Sequence, residues 1–242
     1  MNKTPITKKE IIKFFKTRKK IIFNTELIDL KNSQGRILAE NLKSKIHLPP
    51  FNNSAVDGYA LRKTDLKKYK ELYCCRRIVA GDTKDIKINK GEAIRIFTGA
   101  KMPSNSSTII MQENTVISKN KVRLIKVPKY GENFRLKGED IKKNQKLLSL
   151  GSNINQQNIN LIAAAGIRKI KVFKKIKIAF FTSGNELRRP NTKLKNSEIN
   201  NSNFYSLNSL LNKSYILKKY CGNLKDNFKS VKNKLLQNSN KF

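Results

Sequence analysis

The chain has 242 residues, 52 Lys+Arg against 17 Asp+Glu, a formal net charge of +35 and 38% hydrophobic residues. That length can bury one large core or two ordinary ones, and no apolar run approaches the roughly 20 residues needed to cross a bilayer. Three cysteines, the adjacent Cys74–Cys75 and the distant Cys221, give neither a disulfide framework nor a metal-knuckle spacing, which fits a reducing cytoplasm.

The positive charge invites a nucleic-acid reading, because clustered Lys/Arg drives phosphate binding. Its distribution argues otherwise. Lysine pairs recur everywhere (Lys8–Lys9, Lys19–Lys20, Lys67–Lys68, Lys142–Lys143, Lys174–Lys175, Lys218–Lys219) with no aromatic stacking platform or groove-entering motif among them. Nucleic acid is therefore a disfavoured partner, and the field of the chain is a general attractor of anions.

In chain order, Met1-Asn2-Lys3-Thr4-Pro5 has no apolar segment behind it, so no signal peptide is expected. Thr7-Lys8-Lys9-Glu10 matches a capping box that opens a helix from about Lys8 to Lys16, with Ile11, Ile12, Phe14 and Phe15 on one face. Residues 22–30 and 36–48 read as short extended or mixed pieces around a Ser33-Gln34-Gly35 turn. Pro49-Pro50 then stiffens the backbone, Asn52-Asn53-Ser54 can close side-chain-to-backbone turns, and Asp57-Gly58 between Val56 and Tyr59 is a hairpin signal.

From Tyr59 to about Leu136 the pattern is of short strands between turns: Cys74–Ala80, Ala93–Phe97, Thr108–Met111 and Lys121–Ile125. This predicts a separate all-β domain. Beyond Gly138-Glu139-Asp140-Ile141, Asn155 caps a helix through Ala165 that Gly166 stops. Strands follow at Lys169–Phe173 and Ile176–Thr182, the second read as buried on both sides. The loop Thr182-Ser183-Gly184-Asn185-Glu186-Leu187 comes next, then a helix at Asn203–Leu211, a strand at Tyr215–Tyr220 and a helix from Leu224 to about Leu236, with Leu224, Phe228, Val231 and Leu235 on one stripe. Strand–helix alternation opens a doubly wound α/β domain, and a sheet of only two strands implies that the chain ends inside it.

Four segments share one character, a polar or acidic residue beside glycine at a strand end or turn: Asn53–Ala60, Arg95–Ala100, Gly138–Ile141 and Thr182–Leu187. Glycine lets a backbone approach a ligand and bares N–H groups for anions, while carboxylates in such places suit a hard cation bridged to phosphates. Each segment alone is an ordinary turn or cap.

Taken together and in this order, Leu48–Arg62, Gly91–Ala100, the Gly-Glu-Asp-Ile segment, the Leu161–Ile167 helix end and the Ser183–Leu187 loop closely resemble the molybdopterin molybdenumtransferase family, a fold also found as one domain of gephyrin. The resemblance implies an elongated multidomain α+β fold. Its parts would be a mixed α/β first domain for linkage and dimerisation (1–48 plus 138–173), an inserted all-β domain (49–137) and an incomplete molybdopterin-binding α/β domain (174–242), with the family's fourth β domain absent. It implies a Mg²⁺-dependent cytoplasmic transferase that takes adenylylated molybdopterin and molybdate and leaves the metal on the dithiolene sulfurs with release of AMP. It further implies a homodimer, and molybdopterin adenylyltransferase as a further partner.

Matched residue by residue, Asp57, Thr98 and Asp140 are the expected catalytic residues. Ser183, Gly184 and Glu186 would bind the cofactor, and Glu186 and Asp57 the metal. Asp57 and Asp140 would position the cation or the attacking oxyanion, Thr98 would donate a hydrogen bond, and Glu186 would hold Mg²⁺ beside the phosphates. Asn185 and Asn52 stand where the family has aspartates, Asn144 where it has a glycine, and Asn105-Ser106-Ser107 where it has Gly-Ala-Asp. The alternative reading is a non-catalytic dimerisation or scaffold fragment of the same fold.

Overall fold

A computed structural model describes residues 6–17, 23–66 and 68–239. Met1–Pro5, Lys19–Lys20, Ile22, Lys67 and the side chain of Phe15 lie outside the described set. In chain order the elements are α1 (Lys8–Thr17), β1 (Thr25–Asp29), β2 (Leu42–Lys43), β3 (Asn53–Ser54), β4 (Gly58–Leu61), β5 (Glu71–Tyr73), β6 (Arg77–Ile78), β7 (Ile94–Ile96) and β8 (Thr108–Met111). They continue with β9 (Thr115–Ser118), β10 (Lys121–Leu124), β11 (Phe134–Arg135), β12 (Lys146–Leu148), α2 (Gln156–Ala164), β13 (Lys169–Phe173) and β14 (Ile176–Ser183). The last are β15 (Leu187–Arg188), β16 (Ile199–Asn200), α3 (Ser202–Leu210), β17 (Ile216–Leu224) and α4 (Phe228–Ser239). The fold is mixed α and β.

The chain divides into two compact units, one of Met1–Glu40, Leu150–Asn155 and Lys169–Phe242, the other of Asn41–Ser149 and Gln156–Arg168. In the second unit a four-stranded sheet of order β6-β7-β4-β8 and a three-stranded sheet of order β5-β10-β9 carry the core. β4 runs antiparallel to both β7 and β8, and both of its faces are covered. Tyr59 and Leu61 pack with Leu72, Ile110, Val122 and Leu124, while Ala60 packs with Ile78, Ile94, Ile96 and Ile109. A strand covered on both faces reads as an unbroken apolar run, so all four positions of β4 are buried.

Local chemistry fixes several elements as expected. Thr7 N–H donates to Glu10 Oε2 (2.7 Å) and Glu10 N–H to Thr7 Oγ1 (3.3 Å), the reciprocal capping box that starts α1. Asn144 takes φ +69°, the left-handed conformation that asparagine tolerates. Asn105 clamps a loop by accepting from Ile88 N–H and donating to Ile88 O, both at 2.9 Å, so that turn is structural.

Three expectations are corrected. Asp57-Gly58 makes no hairpin, because β3 pairs with β11 while β4 pairs with β7 and β8. Gly58 is required for another reason: a Cβ there would lie 2.0 Å from the Ile110 carbonyl oxygen, so the residue serves close approach of β4 to β8. The stretch Cys74–Ala80 is not one strand, since β5 and β6 belong to different sheets. The last helix begins at Phe228 rather than Leu224. Leu224 is buried at the end of β17, and Phe228, 83% exposed, faces solvent instead of joining an apolar stripe.

In the other unit β1 pairs antiparallel with β13. β14 and β17 form a two-stranded parallel sheet that α3 and α4 accompany, with Phe180, Phe204 and Tyr220 packed ring on ring. The four residues Ile178–Phe181 are not uniformly enclosed, as only Phe180 is fully buried. A sheet of two strands covers too little of either face to bury all four.

Candidate functional site

Asp57 occupies the bend immediately before β4, where Gly58 anchors the strand against β8. Its backbone carbonyl accepts from Gln112 N–H (3.1 Å). Thr98 follows β7 on a loop pinned to β3: Gly99 N–H donates to Ser54 O (2.9 Å) and Ser54 N–H to Ala100 O (3.0 Å). These ties bring Asp57 and Thr98 together. Thr98 N–H (2.8 Å) and Thr98 Oγ1 (2.7 Å) both donate to Asp57 Oδ1. The two donors, the N–H first and the hydroxyl second, hold the Asp57 carboxyl below its ordinary value against slight desolvation, and the Arg95 charge adds to the effect. Among the described residues nothing is hydrogen-bonded to Asp57 Oδ2.

Asp140 lies in a segment zipped to the Pro-Pro string. Gly138 N–H donates to Pro49 O (2.9 Å), Asp140 N–H to Leu48 O (3.0 Å) and Leu48 N–H to Ile141 O (2.8 Å). Asn52 Oδ1 accepts from Lys137 N–H (2.8 Å), so the acceptor that an aspartate would supply there is kept. Two expected segments thus run side by side. The Asp140 carboxylate is paired with Arg135, whose Nε also lies 3.5 Å from Glu139 Oε1. These partners, Asp140 first, hold the Arg135 guanidinium more firmly charged. Among the described residues Asp140 makes no hydrogen bond to Asp57 or Thr98, and its partner Arg135 is a residue that sequence reasoning did not single out.

The second set of residues belongs to the other unit. β14 ends at Ser183, and Gly184 then takes φ +143°, with its N–H donating to Leu224 O (3.2 Å). Both carboxylate oxygens of Glu186 lie 2.6 Å from where a Cβ at Gly184 would stand, so Glu186 folds back over the turn, and the φ of +143° there is one that side chains rarely adopt. No described residue is hydrogen-bonded or ion-paired to the Glu186 carboxylate. Asp226, which sequence reasoning did not single out, closes the turn. It accepts from Ser183 Oγ (3.1 Å) and Asn185 N–H (3.3 Å), and its own N–H points at Asn185 Oδ1 (3.4 Å). The signal that finds Asp226 is topological: β14 and β17 are parallel, so the loops after both emerge at the same end, where open α/β sheets place their sites. Beneath it Thr182 Oγ1 bonds Tyr220 OH (2.7 Å), Asn223 Oδ1 (2.9 Å) and Asn201 Nδ2 (3.0 Å), which makes the support rigid.

Among the described residues no group of three or more His, Cys, Asp and Glu side chains is gathered as a metal cage. The open donors are single hard oxygens: Asp57 Oδ2 in one unit and the Glu186 carboxylate in the other, where Asp226 already accepts at both oxygens. A single open carboxylate of this kind in either unit fits a magnesium ion, which keeps waters and takes one or two carboxylates together with ligand phosphates. Among the described residues no helix is long and apolar enough to cross a membrane.

Residues 6–166 match the family model described as the MoeA N-terminal region, domains I and II. A molybdopterin molybdenumtransferase of Nostoc is 35% identical over 209 residues, covering 84% of this chain and 48% of the relative. The Haemophilus influenzae protein of that name is 32% identical over 190 residues, covering 78% and 47%. A crystal structure of the molybdopterin biosynthesis MoeA protein from Pyrococcus horikoshii superposes with TM-score 0.83 at 30% identity, over 91% of this chain and 60% of that one. The chain spans about half the length of the curated relatives it matches.

Proposed function

The chain belongs to the MoeA family, and we propose that it serves molybdenum cofactor biosynthesis as a molybdopterin molybdenumtransferase, inserting molybdenum from molybdate into adenylylated molybdopterin with release of AMP. The observation that carries the reading is the Asp57–Thr98 pair, an ionised carboxylate with one oxygen held by two donors and the other open. Asp57 and Glu186 are the residues that would hold Mg²⁺, which when bound supplies charge neutralisation for a phosphate. Thr98 fixes the direction in which Asp57 points. Asp140, oriented by Arg135, presents a second carboxylate beside the Pro-Pro string. Ser183 and Gly184 offer a hydroxyl and a backbone with no side chain in the way, a surface suited to the pterin or its phosphates.

The reading extends to a cytoplasmic homodimer in which the Asp57 residues of one subunit and the Glu186 turn of the other serve one cleft. Molybdopterin adenylyltransferase would supply the substrate. The division into 1–48 plus 138–173, 49–137 and 174–242 as linkage, β and incomplete α/β domains belongs to the same proposal.

The test is AMP release from adenylylated molybdopterin by the purified chain with Mg²⁺ and molybdate, compared with Asp57→Ala. Release by the parent chain and its loss in the variant are expected. Undiminished release by Asp57→Ala removes Asp57 from the reaction, and no release by the parent chain leaves a non-catalytic scaffold as the reading.

A further inference from the structure

Arg95 sits on β7 directly opposite Tyr59 of β4. Its guanidinium carbon is 5.0 Å from the Tyr59 ring centroid and 4.9 Å from that of Phe97, so the cation lies within cation–π distance of two rings. The hydrogen bond its guanidinium donates goes to a neutral acceptor, Gln112 Oε1. Other arginines are spent on carboxylates: Arg36 on Glu26, Arg62 on Asp65, Arg76 on Glu92, Arg135 on Asp140 and Arg188 on Glu198. Among the described residues Arg95 has no such pair. Asp57, whose carboxylate feels the Arg95 charge, is instead bound through Oδ1 to Thr98.

Aromatic stacking holds a guanidinium in place without neutralising it. The sheet beside Asp57 therefore carries a cation with no carboxylate bonded to it and a carboxylate with one open oxygen. A bound oxyanion satisfies the first, and it costs little entropy because the fork is already immobilised. We propose that Arg95 is an oxyanion-binding residue of the Asp57–Thr98 site, taking a tetrahedral oxyanion that is either the phosphate of an adenylyl-bearing ligand or molybdate. The choice of these two oxyanions rests on the function proposed above. The binding itself does not.

The test is calorimetric titration of the full chain, without Mg²⁺ and at about 0.15 M salt to screen the dispersed lysines, with AMP and separately with molybdate. Arg95→Gln should weaken the oxyanion that Arg95 takes by roughly tenfold or more, the size of a charge-assisted bidentate contact, and Arg95→Lys should restore only part of it. Loss confined to AMP assigns the phosphate, and loss confined to molybdate assigns that ion. Affinities within twofold of the parent for both, or no binding of either by the parent, overturn the proposal. If Arg95→Gln does not fold, Phe97→Leu removes one ring and keeps the charge. It should weaken binding several-fold, and no change overturns the idea equally.

Asp57→Asn separates this inference from the insertion reaction. Removing a like charge should tighten Mg²⁺-free oxyanion binding while AMP release is lost. Looser binding in that variant counts against Arg95 alone.

Discussion

Gly58→Ala tests whether the Asp57 bend is held by close strand packing. The added methyl would sit 2.0 Å from Ile110 O and 3.0 Å from both Ile109 Cγ2 and the Ile110 carbonyl carbon. The first obstacle is backbone in the middle of the β4–β8 ladder and cannot swing aside, so the strands must part by about 1 Å. Overpacking of this kind costs about 1–3 kcal/mol, and loosening one or two ladder hydrogen bonds adds about 1 kcal/mol each, giving about 2–5 kcal/mol. At about 2–4 °C per kcal/mol for a chain of this size, the melting midpoint should fall by roughly 4–20 °C. Gly81→Ala is the control: φ is +95° there and nothing lies within 4 Å, so only backbone strain of about 1 kcal/mol is incurred. Thermal unfolding followed by circular dichroism measures both, and hydrogen exchange at the Tyr59 and Ile110 amides localises the damage. Equal losses at the two glycines would refute the close-approach argument.

Thr98→Val removes the hydroxyl donor to Asp57 and keeps the N–H, so the Asp57 carboxyl should move part of the way up toward its ordinary value near 4. Because the folded-state value is depressed, the stabilisation is fully present above the unfolded value and is lost as pH falls through the folded one. A carbon-13 NMR titration in the acid range follows it, and an unmoved Asp57 resonance would show that the hydroxyl is idle. Glu92→Gln attacks a different tie. Burial pushes the Glu92 carboxyl up, but the Arg76 guanidinium (2.5 and 2.6 Å) and Asn89 N–H (2.9 Å) outweigh it and leave the group ionised. The variant should cost about 1.5–3 kcal/mol in urea unfolding at pH 7, and a smaller amount once the pH falls through the depressed folded-state value, where the parent carboxylate is itself protonated. A cost that does not shrink in acid would mean that charge is not what Arg76 binds.

What the sequence made legible was local. Thr7 and Glu10 are three residues apart, Asn144 needs only its own backbone, and Thr108–Met111 and Lys169–Phe173 carry their strand pattern within themselves. The misreadings arose where a distant partner decides the outcome. Asp57-Gly58 satisfies a hairpin rule locally, but the Ile110 carbonyl that explains the glycine arrives from another strand. Leu224 falls at helical spacing from Phe228 and Val231, yet the pairing of Ser183 with Leu224 keeps it in the sheet. Asp57 and Thr98 could each be singled out as a polar residue beside glycine. That both Thr98 donors converge on one oxygen of Asp57 is a tertiary fact.

The Ser183–Leu187 turn shows how a correct observation about sequence can mislead about charge. Asparagine at 185 suggests that one negative charge is lost where a cation should sit. In the fold the Asn185 side-chain oxygen faces Asp226 N–H, a contact an aspartate would make equally well, and the Asp226 carboxylate returns to Ser183 Oγ and Asn185 N–H. The turn therefore keeps two carboxylates, Asp226 locked into its frame and Glu186 free above Gly184. Of these, Glu186 can reach a ligand without giving up an existing bond, whereas Asp226 already spends both carboxylate oxygens on the shape of the turn.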